Sequence, residues 1–220
     1  MERELGSLRQ LSGQRRLGRV LSVGCGAGEL EVMLAGIAEH VTALDLSPEA
    51  IVMAKRSADR VRISNIEFRC QSFNDLEWDQ QFDAVLCIAF LHHVPEVDLP
   101  GFLQTAHQHI KPNGFFYSQD PNSRGILRTI GRQVMGESYN KFHTPDEREL
   151  DPRQLTRQLH DAGFDEVRLR HIDLTLIPAS FLLAGKMGWP LYLSAAADWI
   201  WCRSPLAPWS SGFAAIARRK

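Results

Sequence analysis

The sequence predicts an α/β fold, doubly wound around a mostly parallel sheet, and three stretches carry that prediction. Val20-Leu21-Ser22-Val23 is an apolar run of strand character that stops in glycines at 24, 26 and 28. Glu29 to Ala38 then has helical spacing, with apolar residues at 30, 33, 34 and 37. Strand and helix signals keep alternating downstream, as Val41 to Asp45, Ser47 to Arg60 and Ile66 to Cys70. Phe82 to Ile88 is apolar at every position but Asp83, as suits a central parallel strand covered on both faces.

In chain order, residues 1–19 read as one short helix with Leu5, Leu8 and Leu11 on a face, ending near Gly13. Ser47-Pro48-Glu49 opens the next well-marked helix, with Ser as N-cap, Pro at the first helical position and an acid in the first turn. Asp98 to Ile110 is an amphipathic helix, and Lys111-Pro112-Asn113-Gly114 is read as a turn into a strand at Phe115 to Gln119. Pro152 to Ala162 gives a further helix with Gly163 as its C-cap, then come strands at Phe164 to His171 and Phe213 to Ala217.

Two segments break this rhythm. Residues 121–151 carry Arg124, Arg128, Arg132, Tyr139, Lys141 and His143, and are too long for a structureless connection, so they read as a lid insertion over the site. Residues 174–211 hold Trp189, Tyr192, Trp199, Trp201 and Trp209 ahead of the last strand. For this aromatic insertion three readings stay open: extra core or a homodimer contact, a wall for an apolar substrate, and a helix lying on a membrane surface. The whole chain, 1–220, is read as a single domain.

With 220 residues, 44% of them hydrophobic, the chain can bury a full core. A net charge of −1 argues against a general nucleic-acid binder. Cys25, Cys70, Cys87 and Cys202 form no Cys-x-x-Cys pair and read as small reduced core residues. The first residues are charged, unlike a signal peptide, so the cytoplasm is the default expectation. The uncharged runs of the tail fall short of the ~18–20 residues that a spanning helix needs.

The glycine turn narrows the ligand. A dinucleotide fingerprint would place its third glycine at position 29, where this chain has Glu, whose bulk and charge disfavour a pyrophosphate and hence a nicotinamide oxidoreductase. Asp45 closes the next strand with a carboxylate suited to both hydroxyls of a ribose. Together they point to an adenosyl ligand without phosphates.

Gly24, Gly26, Gly28 and Asp45, with Phe82-Asp83-Ala84-Val85-Leu86 and His92-His93-Val94, resemble a class I S-adenosylmethionine-dependent methyltransferase. The likeness runs from Val20 to Asp120 and resumes at Pro152 to His171. It implies a Rossmann-like sheet of seven strands, one antiparallel near the edge, and S-adenosyl-L-methionine as cofactor, with S-adenosyl-L-homocysteine as product. It places Gly24, Cys25, Gly26, Gly28, Asp45 and Leu46 around the cofactor, together with Ser72, Phe73, Ile88 and His93. Where family members often carry an Asp to bond the adenine amino group, this chain has Ser72. Where they commonly carry an acid two residues before the first glycine, to hold the amino end, it has Ser22, so modest cofactor affinity is expected.

Methyl transfer is an in-line displacement whose main demands are alignment and exclusion of water. A hydroxyl acceptor also needs a base, and the candidates are His93, at the mouth of the fourth strand, and His143, in the lid. His92 is expected to pack, and His107, His109, His160 and His171 to lie on the surface. Asp120 and Asn122 echo half of a metal-dependent site, but Ile88-Ala89-Phe90 supplies no carboxylate for the other half, so no metal is expected. The function expected is methyl transfer to a small molecule, such as a natural-product, glycan or lipid-linked intermediate with an apolar body and an anionic handle. The rival is a binding protein that keeps the fold and the cofactor without catalysis.

Overall fold

In the computed structural model, residues 2–76, 81–135, 148–173 and 196–220 are described. Seven strands form one sheet: β1 (Leu17–Val23), β2 (Ala38–Asp45), β3 (Ile66–Cys70), β4 (Phe82–Ile88), β5 (Ile110–Pro121), β6 (Glu166–Ile172) and β7 (Gly212–Arg218). Their order is β3-β2-β1-β4-β5-β7-β6, and β7 runs antiparallel to both of its neighbours while the other pairs are parallel. This is the sheet that the resemblance implied.

Side chains of one strand alternate between two cores. Ala84 and Leu86 of β4 face the same way as Val20, Val41, Phe115 and Ile216, under helices α1 (Glu2–Ser12), α2 (Glu29–Ala35) and α3 (Pro48–Arg60). Val85 and Cys87 face the other way with Leu21, Phe116 and Phe213, under α4 (Leu99–Gln108) and the helix Pro152–Asp161. Coverage on both faces is why β4 reads as an unbroken apolar run. Leu5 and Leu8 of α1 are buried as the spacing predicts, and the Leu11 side chain lies outside the described residues.

The caps explain the helix starts. Ser47 Oγ accepts a hydrogen bond from the Ala50 amide at 3.1 Å, and Pro48 takes the first helical position. Asp151 does the same for the helix after the lid, accepting from the Arg153 amide at 2.8 Å.

Several boundaries differ from the sequence reading. Gly36 ends α2 at Ala35, and β2 starts already at Ala38, where the apolar period had suggested continued helix. The stretch 111–114 is no turn between elements: β5 begins at Ile110 and carries it as an irregularity, with Asn113 at φ 65° and a register shift opposite Phe82 to Ala84. Its Asn113 amide is taken by Arg219 O at 2.8 Å, so the bulge is tied to the chain that follows β7. In the lid, α5 (Ile126–Met135) is helical, and the helix Pro152–Asp161 becomes α6. Residues 136–147, with Tyr139, Lys141 and His143, lie outside the described residues, as do 174–195 with Trp189 and Tyr192.

Two cysteines and one histidine depart from expectation. Cys25 and Cys87 are buried, but Cys70 is exposed at the end of edge strand β3 and Cys202 is only half-buried. His109 is buried against Phe73, their rings 6.0 Å apart, because it caps α4 on the inner side of the sheet.

Candidate active site

A cleft of about 840 Å³ opens beyond the C-terminal ends of β1, β2 and β4. The chain crosses from one side of β1 to the other between β3 and β4, so the helices part there and leave a crevice. Its walls come from the glycine turn, from Asp45 and Leu46 after β2, from residues 71–74 after β3, and from Ala89, Phe90 and His93 after β4.

The turn's glycines serve different ends. Gly26, at φ 52°, borders the cleft, and a Cβ built there would meet nothing within 4 Å, so its face is open to a ligand. Gly28, at φ 75°, does not reach the cleft: a Cβ would stand 2.7 Å from Ala54 Cβ and 3.0 Å from the Phe68 ring, so this glycine lets α3 and β3 close on the turn. Cys25 and Ile88 likewise pack into the core beside the cleft and do not line it.

Asp45 is held by the backbone it organises. Its Oδ2 accepts from the Gly26 amide at 2.7 Å and its Oδ1 from the Ser47 amide at 2.9 Å, which fixes the glycine turn to the start of α3. Each carboxylate oxygen keeps a second lone pair for a hydroxyl in the cleft. Ser72 accepts from the Asn74 amide at 3.2 Å, shaping the short turn that presents Phe73, whose ring is buried 4.6 Å from that of Phe102.

Behind the turn stands a carboxylate that sequence reasoning missed. Glu31 of α2 is 2% exposed, and its Oε1 accepts from the Ser22 hydroxyl at 2.7 Å. Burial, with the Asp45 charge adding to it, pushes the Glu31 carboxyl up to about 7. Burial first, then the charges of Glu31 and Asp45, pushes the Cys25 thiol up to about 12, so it stays protonated. The signal was an acid three positions after Gly28 on the apolar side of a short helix, where a charge needs a reason.

On the opposite wall Ala89 takes φ 51°, an uncommon conformation for a residue with a side chain, directly at the end of β4. His93 follows on a short helical turn and borders the cleft, and its ring lies 4.1 Å from that of His92, tilted by 39°. His92 is buried, and Asp120 Oδ1 takes both its backbone amide at 3.2 Å and its Nδ1 at 3.1 Å. Burial raises the Asp120 carboxyl, opposed by those bonds. Asn122 is engaged too, donating to Pro208 O at 3.1 Å and Ser210 O at 2.7 Å, so both residues that echoed a metal site have structural duties.

His143 lies outside the described residues. Of the lid arginines, Arg128 is occupied by Ser211 O at 2.8 Å and by Glu149 at 3.3 Å, and Arg124 lies 3.9 Å from Asp151. These contacts anchor the start of the lid and leave no anion site at Arg128. In the aromatic insertion, residues 196–201 are helical, Trp199 is 61% exposed with the Arg203 guanidinium 4.4 Å from its ring, and Trp209 is also exposed. Among the described residues no helix is long and apolar enough to cross a membrane.

Comparison with known proteins agrees with this geometry. The family described as "Methyltransferase domain" matches residues 20–114, from β1 through the bulge of β5. A ubiquinone biosynthesis O-methyltransferase of Bradyrhizobium diazoefficiens is 33% identical over 158 residues, covering 66% of this chain and 59% of the relative. The chain therefore spans about three fifths of the length of such relatives. Two solved structures share the fold. An S-adenosylmethionine-dependent methyltransferase of Mesorhizobium loti has a TM-score of 0.68 at 20% identity, covering 98% of this chain and 97% of its own. Magnesium protoporphyrin IX methyltransferase of Synechocystis, solved with S-adenosylhomocysteine bound, has a TM-score of 0.64 at 15% identity, covering 99% and 81%. With the sheet order, the glycine turn and Asp45 in place, residues 20–114 belong to the methyltransferase-domain family, within a sheet ordered as in the class I S-adenosylmethionine-dependent methyltransferases.

Proposed function

We propose that this protein transfers a methyl group from S-adenosyl-L-methionine to a hydroxyl of a small molecule. The observation that carries the reading is the cleft itself, which joins an open glycine face at Gly26, a carboxylate at Asp45 and an imidazole at His93 at the C-terminal ends of β1, β2 and β4. An adenosyl group suits it, because Asp45 offers acceptors for ribose hydroxyls, Phe73 and Leu46 offer apolar surface and Ser72 a polar edge for adenine. When bound, the cofactor supplies an electrophilic methyl on a sulfonium. The turn and Asp45 orient the nucleoside, and the β4 wall presents the acceptor.

His93, which borders the cleft, is the base we propose for the acceptor's proton, through whichever ring nitrogen faces the hydroxyl. The His92–Asp120 pair behind it fixes the His92 ring against which the His93 ring leans. An aromatic hydroxyl on an apolar body is the acceptor class, supported by the names of the relatives and by the apolar wall of Val94, Val97 and Phe102. The test is calorimetric titration with S-adenosylhomocysteine and NADH, followed by transfer of labelled methyl to phenols with and without an apolar chain. Binding of S-adenosylhomocysteine alone, with turnover, fits the proposal. Binding without turnover on any acceptor turns it toward a cofactor-binding protein, and binding of NADH refutes it.

A further inference from the structure

Glu31 has a carboxylate oxygen with nothing to do. Its Oε1 is held by the Ser22 hydroxyl at 2.7 Å, but its Oε2 is buried without a hydrogen-bond partner in a residue that is 2% exposed. Leaving such an oxygen unmet is costly, and more so if it is charged, so folded proteins rarely keep one without use. The group is also placed. Ser22 stands two residues before the first glycine of the turn, on β1, the Glu31 charge acts on Cys25 within that turn, and the Asp45 charge on the cleft wall acts on Glu31. Both add negative charge or a neutral thiol, never a cation. Among the described residues bordering the cleft there is no Lys or Arg either.

We infer that Glu31, steered by the Ser22 hydroxyl, is the anionic contact for the ammonium at the amino-acid end of the cofactor. Glu31 does not itself border the cleft, so the contact would be made past Val23 and Gly24, which do border it and which directly follow the Ser22 that orients the carboxylate. The inference rests on the reading of the cleft as the S-adenosylmethionine site. It also explains a carboxyl held at about 7 without a ligand: an arriving ammonium displaces the proton and satisfies the idle oxygen in one step. Modest affinity, expected from a neutral Ser22, is accordingly revised upward.

The test compares two ligands on two variants by calorimetry. S-adenosylhomocysteine carries the ammonium, and 5′-methylthioadenosine keeps the nucleoside but lacks the amino-acid end. Glu31→Gln should weaken S-adenosylhomocysteine by about tenfold or more and leave methylthioadenosine within about twofold. Equal losses for both ligands, or no loss for either, overturn the inference. Should Glu31→Gln fail to fold, the exchanged pair Ser22→Asp with Glu31→Ser supplies the same charge from the strand. Retained discrimination between the ligands supports the inference, and its loss with methylthioadenosine still bound overturns it. If the unaltered protein binds neither ligand, the cofactor reading itself falls, a result separate from either variant's behaviour.

Discussion

Replacing Gly28 and Gly26 by alanine in turn separates packing from binding within one turn of chain. At Gly28 the added methyl would sit 2.7 Å from Ala54 Cβ and 3.0 Å from the Phe68 ring, closer than carbon atoms approach, so α3 or β3 must shift. Overpacking of this kind costs about 1–3 kcal/mol. The positive φ of 75° adds about 1–2 kcal/mol for a residue with a Cβ. Gly28→Ala should therefore lose about 2–5 kcal/mol of stability, seen as a lower urea midpoint with unchanged slope. Gly26→Ala carries only the backbone term, about 1–2 kcal/mol, since nothing lies within 4 Å of its Cβ. The methyl would instead project into the cleft proposed for the cofactor, and S-adenosylhomocysteine affinity should drop at least about tenfold. Equal stability losses for the two variants, or full ligand binding by Gly26→Ala, would refute this division of labour.

Further outcomes follow from other residues. Asp45→Asn replaces a charged acceptor of the Gly26 and Ser47 amides by a neutral one and should weaken S-adenosylhomocysteine about ten- to hundredfold by calorimetry. Glu31 gives a pH signature: its carboxyl sits at about 7 when folded against an ordinary 4.5, so its stabilising effect is fully present below 4.5 and lost as pH rises through about 7. Thermal melts of the unliganded protein should show a decline over that window worth about 3 kcal/mol, and Glu31→Gln should remove it. Asp120→Ala strips the buried His92 of its partner and should cost about 2–4 kcal/mol in chemical unfolding. Titration with a thiol reagent should find Cys70 reacting fast in the native protein while Cys25 and Cys87 wait for unfolding.

The sheet was legible because its signals are local. Strand β1, the glycines and Asp45 are contiguous or nearly so, and each follows from a residue type whose chemistry admits few uses, as does the cap at Ser47. What sequence could not show depended on partners far along the chain. Asn113 becomes part of a strand because Arg219 O receives its amide, and Arg128 is neutralised as an anion site by Glu149 and Ser211. Glu31 hid for the opposite reason, since its partner Ser22 lies just nine positions back, but a hydroxyl announces nothing about what it will hold.

The place of β7 in the sheet has a consequence for how the chain assembles during synthesis. Strand β6 leaves the ribosome before β7, yet among the described residues its sheet neighbour is β7, which stands between it and β5. Until β7 emerges, β6 has no ladder to join, and the outer edge of β5 keeps its amides and carbonyls unpaired. One strand then completes two antiparallel ladders, with Phe115 to Pro121 on one side and Glu166 to Ile172 on the other. Nascent chains stalled before Gly212 should accordingly show a protected β1 to β5 nucleus and a protease-sensitive β6, and the gain of protection at β6 should come in a single step once β7 is free of the exit tunnel.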